Sequence, residues 1–432
     1  MVKALTGGRL LDPAANIDQK DTLIIENGLI KEITASTPPN GAEIIDVNGC
    51  LVVPGFIDLS CRPGSINSSS LVSLGQAALQ GGFTGLTILP DTKPPLTDSL
   101  RLAGLQALAQ QHCPVQLFPL GALSRNLAGA ELADLGSLAE AGGRGFSDGL
   151  RWPTDSKLLL FALKYAATFG QPLFIHPEDP ALVASGLMRE SQTATRLGLP
   201  AIPAAAEEVA VARDLLLAQA AGGRLHFVHL SAANSIALLR WAQQQGTAVS
   251  AAASLAHLLL TYNDIRTYNT NFKLQPPLGS SADQGALITG LRDGTLAAIV
   301  TDHTPASPEQ KDREFSAAAW GGSFLRHAFP LLYTRLVRSG KLDLATLISC
   351  LTAGPAKVLG LSQIGTLAPG SLANITVIDP AAAVTISAQQ LPLNEQNTPF
   401  LGQQVAGLPV LTLVKGVVAY AKEDFSCPNT RP

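Results

Sequence analysis

The chain has 432 residues, 46% of them apolar and only 15% charged, with a net charge of −3. That length calls for one large domain with a smaller one, and the lack of a basic surplus argues against a nucleic-acid or anionic-membrane partner. The charged share lies below the usual value of about 25%, which fits parallel strands buried on both faces or a surface covered by other subunits.

Residues 1–53 read as short strands and turns. TLIIENGLIKEI carries β-rich arms around Asn27-Gly28, a hairpin signal. Residues 365–379 (GTLAPGSLANITVID) and 410–420 (VLTLVKGVVAY, with Lys415-Gly416 at the turn) repeat that texture. Both ends are therefore β, and the expectation is one β-sandwich built from residues 1–53 and 363–425 around a central body, 54–362. The N-terminus has no long apolar run, and no 18-residue apolar stretch occurs, so neither export nor membrane insertion is expected. Cys50, Cys61, Cys113, Cys350 and Cys427 are scattered, odd in number and without CxxC. Reduced thiols in a cytoplasmic protein are expected.

The central body alternates. Runs that suit buried strands are Phe56–Leu59, Thr84–Leu89, Val115–Pro119, Arg144–Ser147, Pro172–His176, Arg224–His229, Thr247–Ala252 and Ala297–Asp302. Helical periodicity fills the intervals, as at 155–169, 204–221, 233–244 and 318–338. Eight strands alternating with helices predict an α/β fold, a (β/α)8 barrel of the TIM type. An open doubly wound sheet is the alternative, but no GxGxxG opens a helix after the first strand.

In such barrels chemistry sits at the C-terminal ends of the strands. Here those ends carry Asp58-Leu59-Ser60, Pro90-Asp91, Ser147-Asp148, His176, His229 and Asp302. Two histidines on neighbouring strands with one or two carboxylates suit Zn²⁺ or a similar ion, and an Asp there could take a proton from metal-bound water. The competing reading is of strand-end residues that hydrogen-bond one another. His112 and His327 read as surface or packing residues, His226 as facing the helices; His257 and His303 are open.

The string of motifs resembles the dihydroorotases of the amidohydrolase superfamily. PGFIDL, GGFTGLTILPDTKPPLTD, GFSDG, FIHPED, FVHLS, SLAHLLLT, NFKLQPPL, DGTLAAIVTDHTP, LTAGPAKVLGL and GTLAPGSLANITVIDP follow in family order nearly end to end. The resemblance implies a barrel with a β-sandwich made from both termini. It makes His176, His229 and Asp302 metal-ligand positions, Asp302 also the catalytic base, and Asp148 the bridging carboxylate. The family's paired histidines on the first strand are missing. Ser60 and Cys61 stand there, and the segment from Asp58 to Pro63 is three residues shorter than the family pattern.

Residues that hold the substrate carboxylate in the family have also changed. Arg62 survives in the shortened loop, the family's Asn is Asp91 and its last His is Ala306; separately, the family's Arg after PPL is Gly279. An Asp facing a carboxylate 4 Å away costs about 1 kcal/mol in water and about 4 kcal/mol at an effective dielectric of 20. Losing two ligands should cost far more than the roughly 10–100-fold of an outer-sphere change.

The resemblance therefore implies a non-catalytic dihydroorotase-like chain. Asp148, His176, His229 and Asp302 become vestigial metal positions, Asp302 a vestigial base, and Arg62 and Asp91 vestigial substrate positions. Such homologues serve as structural subunits of aspartate carbamoyltransferase in some bacteria. The expected partners are that enzyme's catalytic chain and further copies of this chain, in pyrimidine biosynthesis, with no cofactor. The alternatives are a working cyclic-amide hydrolase with a single Zn and an altered substrate, and a module that binds a pyrimidine precursor without turnover.

Overall fold

In the computed structural model, which describes residues 2–423 and Phe425, all eight expected barrel strands form. They are Phe56–Cys61, Phe83–Ile88, Gln116–Pro119 continued as Gly121–Ala122, Phe146–Ser147, Leu173–Ile175, Leu225–Leu230, Val249–Ser254 and Ala298–Val300. Neighbours in the barrel pair in parallel. The third strand breaks at Leu120: its first half pairs with the second strand, its second half with the fourth. The eighth strand meets the first, because Arg62 N donates to His303 O at 2.9 Å and Thr301 N donates to Asp58 Oδ1 at 3.2 Å.

The β/α alternation explains the low charge fraction. Ile57, Leu59, Phe118, Phe174, Val228, Ala252, Ala298 and Val300 fill the barrel interior, while Phe56, Leu86, Ile175, Phe227 and Ala251 pack beneath the helices. Each fully buried large apolar side chain contributes on the order of 2 kcal/mol. Phe56 stacks on Phe329 (ring centroids 5.2 Å apart) and meets Phe83 edge-on at 5.6 Å, joining the first two strands to a late helix.

Helices stand at Ser156–Ala167, capped by the Asp155 carboxylate, at Ala205–Ala221 and at Ala233–Gln244. The helical reading of 318–338 needs correction. Residues 318–324 are not helical, and helix begins only at Leu325. Lys273 Nζ takes the carbonyls of Ser316 and Ala318, both at 2.8 Å, and Gly321 has φ +97°, so no helical ladder can form there.

The chain ends meet in one sheet. Its six strands run in the order Val417–Ala421, Gln404–Val414, Ile375–Thr385, Leu51–Pro54, Arg9–Asp12, Ile17–Gln19. A second sheet, of four strands, contains Val2–Thr6, Thr22–Glu26, Leu29–Thr34 and Glu43–Asp46. Leu5, Leu10, Leu23, Ile25, Val52, Val377 and Leu411 share the core between them. Both hairpin signals form two-residue turns with positive φ at each central position, 54° and 80° at Asn27-Gly28, 51° and 75° at Lys415-Gly416. Among the described residues no helix is long and apolar enough to cross a membrane. Cys50, Cys61, Cys113 and Cys350 are free thiols; Cys427 lies outside the described residues.

Candidate functional site at the barrel mouth

The first strand delivers its polar residues through a register shift between Asp58 and Cys61. Ser60 Oγ then donates to Asp302 Oδ1 at 3.1 Å. Cys61 is fully buried in the outer apolar layer, and its Sγ donates to Asp58 Oδ2 at 3.3 Å. Burial, and after it the charge of Asp58, pushes the Cys61 thiol well above its ordinary value. Asp58 accepts from Ser60 N, Thr301 N and the Thr301 hydroxyl. Burial raises its carboxyl to about 6 against the pull of those bonds.

Asp302 stands two residues past the eighth strand with φ +53°, a left-handed conformation that a non-glycine residue adopts at a cost. Its Oδ1 accepts from Ser60 and from the Arg62 guanidinium at 3.2 Å, and lies 3.6 Å from His229 Nε2. Burial alone would raise this carboxyl; Arg62, His229 and the Ser60 hydroxyl outweigh it and hold the group well below the usual carboxylate range.

His229 reaches this place through a register irregularity between Phe227 and Leu230. Its ring lies edge-on to that of His176, centroids 5.0 Å apart. His176 Nε2 bonds Glu178 Oε2 at 3.0 Å, and Gln275 Nε2 donates to the same oxygen at 2.8 Å. The sequence reading does not single out Glu178, although it stands inside the FIHPED string; Pro177 between the two residues is the signal for a turn that folds Glu178 back onto His176. His176 Nδ1 and both nitrogens of His229 are buried and make no hydrogen bond, His229 Nε2 standing beside Asp302 at ion-pair distance.

Asp148 is not part of this cluster. Its carboxylate accepts from Leu123 N (3.1 Å), Ser124 N (2.9 Å) and Ser124 Oγ (2.5 Å), and so caps the end of the third strand. Asp91 lies against Gly149, where an added Cβ would come within 2.4 Å of the Asp91 carboxyl carbon. Burial raises the Asp91 carboxyl, with Arg62 pulling the other way and Asp302 adding to the rise. The structure thus brings Arg62, His176, His229 and Asp302 together, Asp91 beside Arg62, and leaves Asp148 outside. Ala306 N donates to Asn397 Oδ1 at 3.3 Å, on the loop after the eighth strand. His226 does not face the helices: it is in register with Phe174 and Ser250, bonds Ser250 Oγ at 2.9 Å, and shares the barrel interior with them.

Two family models match the chain, one described as dihydro-orotase-like over residues 49–235 and one as the amidohydrolase family over residues 151–419. A dihydroorotase from Geobacter sp. (strain M21) is 38% identical over 420 residues, 96% of this chain and 98% of the relative. The chain belongs to the dihydroorotase-like amidohydrolases. Another relative, the dihydroorotase of Anaeromyxobacter dehalogenans, is 40% identical over 423 residues, 96% of this chain and 97% of its own length. Among solved structures the L-hydantoinase (dihydropyrimidinase) of Arthrobacter aurescens superposes with a TM-score of 0.88 at 25% identity, covering 98% of this chain and 97% of its own. A D-hydantoinase superposes with a TM-score of 0.83 at 22% identity, covering 99% and 96%, and shows the same fold.

The donors present do not fit the metal centre that the amidohydrolase resemblance implies. Among the described residues no three His, Cys, Asp or Glu side chains converge closely enough to hold an ion. Asp148 is committed elsewhere, the first strand offers a hydroxyl and a protonated thiol, and a guanidinium already neutralises Asp302. A carboxylate already bonded to a buried cation is poorly placed to serve as a base.

Proposed function

We propose that this dihydroorotase-like chain does not turn over dihydroorotate and instead acts as a structural subunit of the aspartate carbamoyltransferase assembly in pyrimidine synthesis. The observation that carries the non-catalytic half is the partly buried Arg62–Asp302 ion pair, at 3.2 Å. It joins the first and last strands across the mouth, where the family places metal and base. A network that neutralises itself in this way keeps the barrel closed without an ion. The partner follows from the family resemblance, supported by apolar side chains left in solvent, among them Phe161, Leu216 and Trp241. The chain works in the cytoplasm, in assembly with further copies of itself. The deciding experiment has two arms. Purified chain is assayed for bound metal and for dihydroorotate hydrolysis, and is then run on gel filtration with the transcarbamoylase of its own organism. No turnover together with co-elution is expected; independent elution of the two proteins defeats the scaffold.

A second reading is favoured by the relatives named dihydroorotase and by the nitrogens of His176 and His229 that make no hydrogen bond. In it His176 and His229 would each offer one ring nitrogen to a single Zn²⁺, which would supply the chemistry for hydrolysing a cyclic amide. Asp91 and Ala306 then favour a neutral or cationic ring over dihydroorotate. Stoichiometric Zn with turnover of a hydantoin-type ring decides for this reading.

A further inference from the structure

Beside the loop that carries Ala306 two lysines are buried side by side without a carboxylate. Lys273 is 2% exposed and Lys311 6%. Lys273 Nζ donates to Ser316 O and Ala318 O, both at 2.8 Å, and lies 4.7 Å from the centroid of the Trp320 ring. Lys311 Nζ donates to Thr270 O at 2.9 Å and Ala319 O at 2.8 Å. Burying an ammonium among neutral carbonyls leaves its charge uncompensated. Burial first, and the Lys273 charge second, brings the Lys311 amine down to about 7. Lys273 is the charge that acts on it, Asp312 and Arg313 line the same cavity, and none of them makes an ion pair with it among the described residues.

Lys311 also borders a cavity of about 380 Å³. Asn269, Asn271, Ser307 and Arg313 give its walls hydrogen-bonding groups, beside the apolar Ala306 and Leu393. An ammonium donates three N–H bonds, and the two carbonyls account for two. The neutral amine would keep both carbonyl bonds and hold its lone pair free.

We propose that Lys311 is a reactive amine and that the cavity beside it is a covalent capture site for small polar aldehydes. The lone pair of the neutral amine attacks the carbonyl carbon, and the C–O π pair moves to oxygen. A proton passes from nitrogen to that oxygen and gives a carbinolamine. Loss of water, carrying the hydroxyl and the remaining N–H proton, leaves the imine. No oxidant or reductant enters. A nearby second cation and a low-dielectric site are general means of making a lysine nucleophilic.

The test uses the full chain without substitution. Folded protein is treated briefly with glycolaldehyde and cyanoborohydride, which fixes any imine as a secondary amine, and the adducts are located by peptide mass spectrometry. At pH 7 Lys311 should be labelled at least ten-fold faster than the exposed Lys341 and Lys357, with a rate midpoint near pH 7. In urea that preference should vanish. Labelling of Lys311 no faster than the exposed lysines at pH 7, or a preference that survives in urea, overturns the proposal.

Discussion

Arg62 is the residue on which the mouth turns. Its guanidinium reaches Asp302 from a loop whose backbone is already pinned, by Arg62 N on His303 O. Removing one partner of a buried pair leaves the other charge uncompensated, at about 3–5 kcal/mol. Arg62→Ala should therefore lower stability to urea by about 3 kcal/mol, near the low end because both side chains keep some solvent contact. The pair has a definite pH sign. The folded Asp302 carboxyl lies below its unfolded value, so its contribution is complete above about pH 4 and is lost as pH falls through the lower folded value. In Arg62→Ala the acid limb of the stability profile below pH 4 should flatten; an unchanged limb would show that the pair contributes nothing.

At the scale of elements, the first strand and its loop decide what repair is possible. Cys61 is fully buried among apolar side chains and Ser60 is fully buried against Asp302. Placing histidine at both positions overpacks a filled layer, and overpacking costs about 1–3 kcal/mol per site. The Ser60→His, Cys61→His double variant is expected to be less stable and to show no dihydroorotate turnover; substantial turnover would contradict the closed-mouth account. In the β-sandwich, the turn at Asn27-Gly28 presses on the turn at Lys415-Gly416: a Cβ on Gly28 would meet Lys415 O at 2.9 Å, at φ +80°. Gly28→Ala should cost about 1–2 kcal/mol from the left-handed conformation alone, measured as a shift in the urea midpoint.

The barrel strands were legible because buried parallel strands are continuous apolar runs, and Phe83–Ile88 and Leu225–Leu230 carry no competing pattern. Both hairpins were legible from one dipeptide each. What stayed hidden depends on where the chain turns after a strand. Asp148 and His176 both sit at strand ends, yet one caps a neighbouring loop and the other faces the mouth. The same limit hid the irregular 318–324 segment, whose carbonyls are claimed by a lysine some 45 residues away in sequence.

For the whole molecule, buried neutral histidines set the response to acid. His226 is held down to about 3, and His257 and His303 to about 4, each chiefly by burial. A base whose folded pKa lies below its unfolded value gives stability that is full above about pH 6.5 and is lost as pH falls toward the folded value. Asp58 and Asp214, both raised to about 6 by burial, act oppositely between about pH 4 and 6. His327 is likewise brought to about 4, chiefly by burial, so the histidines outnumber these two carboxyls and stability falls as pH drops from about 6 to 4. Urea midpoints measured across that range should fall with acid, and His226→Phe should make the fall shallower.

The six-stranded sheet has a consequence for synthesis. Val52 takes its place against Val377, a partner the ribosome delivers on the order of 300 residues later. At about 5–20 residues per second the nascent strand waits tens of seconds with one edge bare. Through that interval the emerging barrel has no finished platform, and a holdase that covers extended apolar edges would have its longest engagement with Leu51–Pro54.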